Sequence, residues 1–259
     1  MIHYRLLSLF GMALMLAGCS SVLSPKPDPS RFFVLTSFNQ SVQPPVIMPD
    51  SGIALVVGRP QYPSYLDRPQ MVTREGGNEI RINEFNRWAE PVPQAMTRVL
   101  ADNLGYLLDT DRIGAFPLMG VFKRDYTIQL LFFNFEGEVD KFVRVRAQWR
   151  IVNPDDDLLG VGEAQFDVPA SGGYQGYADA LSKGLGRLSV DITESILLVH
   201  FANKQPVSAT PAPEETDVPS GKASSAETSG KDLFDANTVG LETRIHKLRK
   251  DLGLDPPAR

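Results

Sequence analysis

Residues 126–168 read YTIQLLFFNFEGEVDKFVRVRAQWRIVNPDDDLLGVGEAQFDV, and the spacing of apolar and charged residues in this stretch decides the fold. Val143, Val145, Ala147, Trp149 and Ile151 alternate with Arg144, Arg146, Gln148 and Arg150. A period of two is the signature of a strand with one buried and one wet face. Asn153-Pro154-Asp155-Asp156-Asp157 interrupts the pattern as a turn, and on the strand that follows Glu163, Gln165 and Asp167 share the polar face. Set opposite the arginines, they contribute a few tenths of a kcal/mol per pair. Together with the apolar segment from Tyr126, this makes three antiparallel strands.

Upstream, Phe32-Phe33-Val34-Leu35 and Ile53-Ala54-Leu55-Val56-Val57 are short apolar runs bounded by proline and glycine, which reads as two strands. Met71 to Phe85 reads as a hairpin, because Gly76-Gly77-Asn78 supplies the positive φ that tight turns need. Pro91 and Pro93 open a helix, where a missing N–H costs nothing. Val92, Ala95, Met96, Val99, Leu100 and Leu104 give that helix one apolar face. Downstream, Tyr177, Leu181, Leu185, Leu188, Ile192, Ile196 and Val199 form a longer stripe at steps of three and four. The expected body, residues 31–201, is an α+β domain: a mostly antiparallel sheet with two helices packed on one face.

The two ends are of different character. Arg5, an apolar run from Leu6 to Ala17, and then Leu16-Ala17-Gly18-Cys19 have the arrangement of a secretory signal over residues 1–18. The apolar run is too short to span a bilayer, which takes roughly 20 residues. Small residues before Cys19 form a lipobox, so cleavage and acylation there are expected. Cys19 is the only cysteine, which leaves no thiol for a disulfide within the chain, for catalysis or for a metal once it carries lipid. Several acyl chains, palmitate among them, make a stable anchor, since each buried CH₂ adds about 0.8 kcal/mol. Ser20, where aspartate would favour retention, points to the outer membrane. Residues 19–30 form a lipidated tether rich in serine and proline. Residues 202–230 are rich in alanine, serine, threonine, proline and glutamate, a disordered linker by composition. In residues 231–259, Leu241, Ile245, Leu248 and Leu252 line one side of a short amphipathic helix, with Arg244, Lys247, Arg249 and Lys250 between them. A helix of that length is marginal alone in water.

The net charge of −5 argues against nucleic acid as a partner and against simple adhesion to anionic lipid. There is no GxxxxGK[ST] loop, HExxH, GxSxG or paired-cysteine spacing in the chain. The mature chain keeps two histidines, His200 at a helix end and His246 in the tail, too few for a triad or a metal centre. Catalytic residues, cofactors and bound metals are therefore not expected. Gly184-Leu185-Gly186 lies inside a helical pattern with Ser189 in the third glycine's place, so it is not a dinucleotide loop. Asp155 to Asp157 read as a solvated turn in preference to a cation site. Arg144, Arg146 and Arg150 read as a wet strand face in preference to an anion groove.

Two strings go beyond pattern: Tyr65-Leu66-Asp67-Arg68-Pro69-Gln70, and Arg87-Trp88-Ala89-Glu90-Pro91 at the entry to the first helix. With the lipobox and the early FFVLT strand, the chain from Cys19 to Val199 resembles the PqiC-type auxiliary lipoproteins of ABC transport systems, the outer-membrane partners of MCE-domain lipid transporters. The resemblance implies a periplasmic α+β domain in a homo-oligomeric ring under the outer membrane. It further implies docking to the tunnel of an inner-membrane-anchored MCE protein, contact with phospholipid, and a non-enzymatic role in membrane integrity. Tyr65, Leu66, Asp67, Arg68, Arg87, Trp88 and Glu90 are then candidate interface residues, since loops held on a rigid sheet commonly carry recognition. The same residues have a structural reading, with Trp88 in the core and Arg87 and Glu90 fixing the helix entrance. The competing function is a lipoprotein regulator or scaffold of cell-wall synthesis or outer-membrane assembly, because fold alone does not settle function. If the C-terminal helix mediates self-association or docking, deleting residues 230–259 will lower the mass in solution or the recovery of partner, read by light scattering and pull-down. No change in either sinks that role.

Overall fold

The computed structural model describes residues 28–38, 46–117 and 123–204, with the single positions His3, Thr243, His246, Lys247 and Lys250. Cys19, most of the tether, the linker from residue 205 and most of the C-terminal segment lie outside the described residues. Contacts divide the chain at Arg31/Phe32, and the account below concerns the unit that begins at Phe32.

The elements run β1 (Arg31–Phe33), β2 (Leu55–Val57), a single 3₁₀ turn (Ser64–Leu66), β3 (Gln70–Arg74) and β4 (Ile80–Trp88). Then come α1 (Val92–Leu108), β5 (Ile113–Ala115), β6 (Tyr126–Glu138), β7 (Phe142–Val152), β8 (Leu158–Pro169) and α2 (Gly173–Lys204). The class is α+β, as expected. The strands divide into two sheets, however, a small one ordered β1-β4-β3 and a larger one ordered β5-β2-β6-β7-β8. The large sheet is mixed. Leu55 to Val57 pair parallel with Ile113 to Ala115 on one side and with Tyr126 to Ile128 on the other, while β6, β7 and β8 are antiparallel.

Each element follows from its residues. In the β3–β4 hairpin, Gly76 and Gly77 take φ of 97° and 55°, and the Glu79 N–H reaches the Gly76 carbonyl at 3.2 Å. Pro91 caps α1, Pro93 sits in its first turn, and Asp109 closes it in the left-handed region. The stripe from Val92 to Leu104 is buried as expected. The inward row of β7, Val143 to Ile151, is buried as well. Burying a side chain of that size stabilises by about 1.5–3 kcal/mol.

Helix α2 crosses the inner face of β7 and β8 at close range because the contact is lined with glycine. A Cβ at Gly184 would stand 2.6 Å from Val145 Cγ2, one at Gly160 2.9 Å from Val199 Cγ2, and one at Gly162 2.2 Å from the Trp149 ring. In the Gly184-Leu185-Gly186 string, Gly184 is thus a helix-to-sheet contact, and Gly186 makes room for the Phe38 ring. Between the two helices, the Asn103 amide donates to Ser189 Oγ at 3.1 Å and its carbonyl oxygen receives the Phe38 N–H at 2.9 Å, so this polar contact is satisfied although buried.

The C-terminal end of α2 holds a titratable group inside the protein. His200 is buried, with Nδ1 3.1 Å from the Tyr126 hydroxyl, and its ring is edge-on to Tyr126 and Phe201. Its Nε2 has no partner among the described residues. Burial lowers its pKa below 6.5, Lys204 lowers it further, and Asp125 opposes. In the unfolded chain the imidazole charges at its ordinary value, so the unfolded state binds the extra proton first. Stability should therefore begin to fall as pH drops below about 6.5 and go on falling towards the depressed native value. We expect His200→Gln, which cannot titrate, to flatten the slope of melting temperature between pH 7 and pH 5, measured by differential scanning fluorimetry. An unchanged slope refutes the assignment.

Candidate interface site

The two sequence strings, separated by a hairpin, meet in space. The Trp88 N–H donates to the Pro69 carbonyl at 2.7 Å, and Gln70 lies in register with Arg87. On the other side of β4, the Ala89 N–H donates to the Phe33 carbonyl at 2.8 Å. The first string is a tight turn closed on itself. Leu66 N–H bonds Pro63 O at 3.0 Å, Asp67 N–H bonds Ser64 O at 3.1 Å, and Arg68 Nε donates back to Tyr65 O at 2.9 Å. Leu66 and Trp88, 6 % and 8 % exposed, point into the core. The Glu90 carboxylate pairs with Arg98, which also donates to the Leu35 carbonyl at 3.0 Å, and this locks the entrance of α1 onto the segment after β1. Asp67 stays exposed, and Arg68 and Arg87 are half-buried.

Tyr65 faces a buried carboxylate. Glu136, 1 % exposed, accepts from Arg74 Nε at 2.9 Å, Asn134 Nδ2 at 3.0 Å and the Phe135 N–H at 2.8 Å. An ionised carboxylate with donors to both oxygens is tolerated in a core where an unpaired one is not. Burial raises the Tyr65 pKa and the Glu136 charge raises it further, with Arg74 opposing. The Arg74 guanidinium is held above its ordinary value mainly by its bond to Glu136. The sequence reading passed over Glu136, because a glutamate between Phe135 and Gly137 looks like any polar position of a strand. The irregular register between Phe132 and Asn134 turns it under β3.

Beside the meeting point, β4 bulges. Met71 pairs with Asn83 while Gln70 pairs with Arg87, so Glu84, Phe85 and Asn86 loop out. One oxygen holds the loop: Asn83 Oδ1 accepts from the N–H groups of Phe85 at 3.0 Å and Asn86 at 2.8 Å and from Asn86 Nδ2 at 2.9 Å. Asn83 Nδ2 donates to the Tyr174 hydroxyl at 2.9 Å.

The other candidate groups resolve into structure. Arg144 forks onto Asp167 with both bonds at 2.7 Å, and Arg146 reaches Glu163 at 2.9 Å while lying 4.8 Å over the Phe133 ring. Arg150 lies in register with Gln129 and Val161. At the hairpin tip Asn153 Oδ1 receives the N–H groups of Asp155 and Asp157, the geometry of a polar turn. Among the described residues, no cluster of histidine, cysteine or carboxylate fits a metal ion, and no helix is long and apolar enough to cross a membrane.

A family model described as the ABC-type transport auxiliary lipoprotein component matches residues 33–193, from β1 to well into α2. The chain belongs to this family. It is accordingly an envelope lipoprotein component associated with ABC-type transport, a family defined by a transport role and not by an enzymatic one. Among solved structures, protein XCC0632 from Xanthomonas campestris is similar at 14 % identity with a TM-score of 0.57, covering 68 % of this chain and all of that one. A second crystal structure, described as an uncharacterized protein, matches at 21 % identity and a TM-score of 0.51, covering 63 % of this chain and 96 % of the other. At these identities the likeness concerns the fold. No curated protein matches the chain.

The seven candidate residues thus separate by what they touch. We expect Trp88→Ala to open a core cavity and cost about 3–5 kcal/mol. Arg87→Ala, whose nearest acid is Glu84 at 3.8 Å, should stay within about 0.5 kcal/mol. Melting curves check both values. A large loss at Arg87 overturns its reading as a surface residue.

Proposed function

We propose that this protein is the outer-membrane lipoprotein subunit of an MCE-type ABC system for envelope lipid transport. In this reading the acyl chains on Cys19 seat it on the periplasmic face of the outer membrane. Residues 19–30 give it reach, and several copies form a ring that receives the end of a periplasmic tunnel built by an inner-membrane-anchored MCE protein. Its work is non-enzymatic: it holds a partner and a path for phospholipid in register, and so supports membrane integrity.

The observation that carries this reading is the family match over residues 33–193, which spans the folded body and takes in both sequence strings. Those strings converge where Trp88 bonds Pro69, and they leave Asp67, Arg68 and Arg87 at the surface around that point. A recognition surface needs this combination, a rigid backbone beneath and exposed charged groups above. The lipobox at Cys19 and the Ser20 that follows support the choice of membrane.

The full-length lipidated protein, tagged at its C-terminus and purified from envelopes in mild detergent, should bring down an MCE-domain protein and phospholipid, identified by mass spectrometry. Recovery should fall for Arg68→Glu or Arg87→Glu with the melting temperature kept. Recovery of a cell-wall synthase or an outer-membrane assembly protein instead, at wild-type yield, transfers the protein to a scaffolding role. Recovery of neither an MCE protein nor lipid refutes the proposal.

A further inference from the structure

The small sheet turns apolar side chains to the outside. Phe32 is 62 % exposed, Val34 49 % and Phe85 55 %, while Phe33 and Leu35, their alternates along the first strand, are buried. Strand β1 and the residues after it are therefore apolar on both faces, and the protein covers one of them. The bond from Ala89 N–H to Phe33 O lays β1 along the end of β4. Trp88 points inward there with Phe33, so by the two-residue period Arg87 falls on the outward side with Phe32, while Phe85 stands in the bulge that interrupts that period and is exposed there.

Phe85 is not at the surface by default. Its backbone N–H and that of Asn86 are clamped to Asn83 Oδ1, which also accepts the Asn86 side-chain amide, and Asn83 is in turn bonded to Tyr174. A phenylalanine raised on a braced bulge is a built projection.

The place of this face along the chain indicates what meets it. Phe32 opens the folded body, and twelve residues, 20–31, separate it from Cys19. At roughly 3.3–3.6 Å per residue those twelve reach at most about 40 Å. Whatever holds the acyl chains is kept that close to Phe32. Linkage at this range turns a weak surface contact into an intramolecular one with a high effective concentration. Exposed aromatic rings on an element that also carries a half-exposed guanidinium, here Phe32, Phe85 and Arg87 of the small sheet, match the boundary between acyl chains and headgroups. Leu158, Val161 and Leu198 are exposed as well, but they lie more than a hundred residues along the chain from Cys19.

We propose that Phe32, Val34 and Phe85 form a membrane-resting face, on which the body lies against the leaflet that holds the Cys19 lipid. The inference rests on the lipid-anchor part of the proposed function.

The test uses the full-length lipidated protein, in which acylation of Cys19 leaves no thiol, so a single introduced cysteine takes a fluorescent label. Phe32→Cys, Val34→Cys and Phe85→Cys are compared with Gln165→Cys on the outward row of β8, in vesicles of phosphatidylethanolamine and phosphatidylglycerol. Brominated lipid should quench the three labels several-fold more than the control, and aqueous iodide several-fold less. Equal quenching by iodide at all four sites overturns the inference. So does shielding from iodide without quenching by brominated lipid, which means that protein covers the face. Flotation with the vesicles separates the two readings. A chain that floats with wet labels refutes the resting face alone, and one that carries no palmitate and fails to float removes the anchor and this inference with it.

Discussion

The hydroxyl of Tyr177 is the point on which the layers depend. It donates to the Val72 carbonyl at 2.9 Å and accepts the Gly137 N–H at 2.9 Å, so one side chain from α2 joins β3 of the small sheet to β6 of the large one. All three groups are buried, and in that setting each would cost free energy if left without a partner. Burial lifts the Tyr177 pKa far above the ordinary phenol range, which favours the neutral hydroxyl that donates here. The Arg74–Glu136 pair lies two residues along β3 and one along β6 from that point and allows few other placements of β3 over β6. From that seat follow the position of β4, the burial of Trp88 and the closure of the turn around Tyr65.

The two faces of the large sheet solve different problems. On the helix side, glycines at 160, 162 and 184 remove side chains so that α2 and the Trp149 ring can approach at van der Waals range. On the other side β7 and β8 carry arginines and acids in alternating registers. Exposed pairs of this kind add little stability, about 0–1 kcal/mol each. They also make the exposed edge of β8 a poor template for another strand, because an incoming copy would have to bury charge. The small sheet has no such ladder on its outward side, and its Phe32 and Phe85 mark a surface of another kind.

What the sequence made legible follows from how long each pattern lasts. β7 alternates over its whole length, and α1 and α2 keep an apolar stripe over several turns, so the helices, the β6–β8 meander and the hairpin around Gly76-Gly77 could all be read. β5 could not, since three residues, Ile113 to Ala115, are too few for any period to emerge. The division into two sheets and the parallel pairing of β2 depend on which strands meet, and local spacing carries no record of that. The strings at Tyr65 and Arg87 were visible as unusual residues, but their contact through Pro69 and Trp88 was not. Glu136 was invisible for a physical reason: a buried carboxylate depends on an arginine more than sixty positions away, and nothing next to it in sequence announces the pairing.

The parallel pairing of β2 also sets an order of events. Leu55 sits between Ile113 and Tyr126, so when the chain is made from its N-terminus neither neighbour of this interior strand yet exists. The strand must wait for all of α1, for β5 and for the start of β6, and the inner face of β7 and β8 must wait longer, for α2, the last element of the body. Little of the core can close early, and pairing between distant segments makes for slow folding. The nascent body therefore stays unfolded for most of its synthesis, which is the condition in which a chain can still be threaded through a narrow export channel.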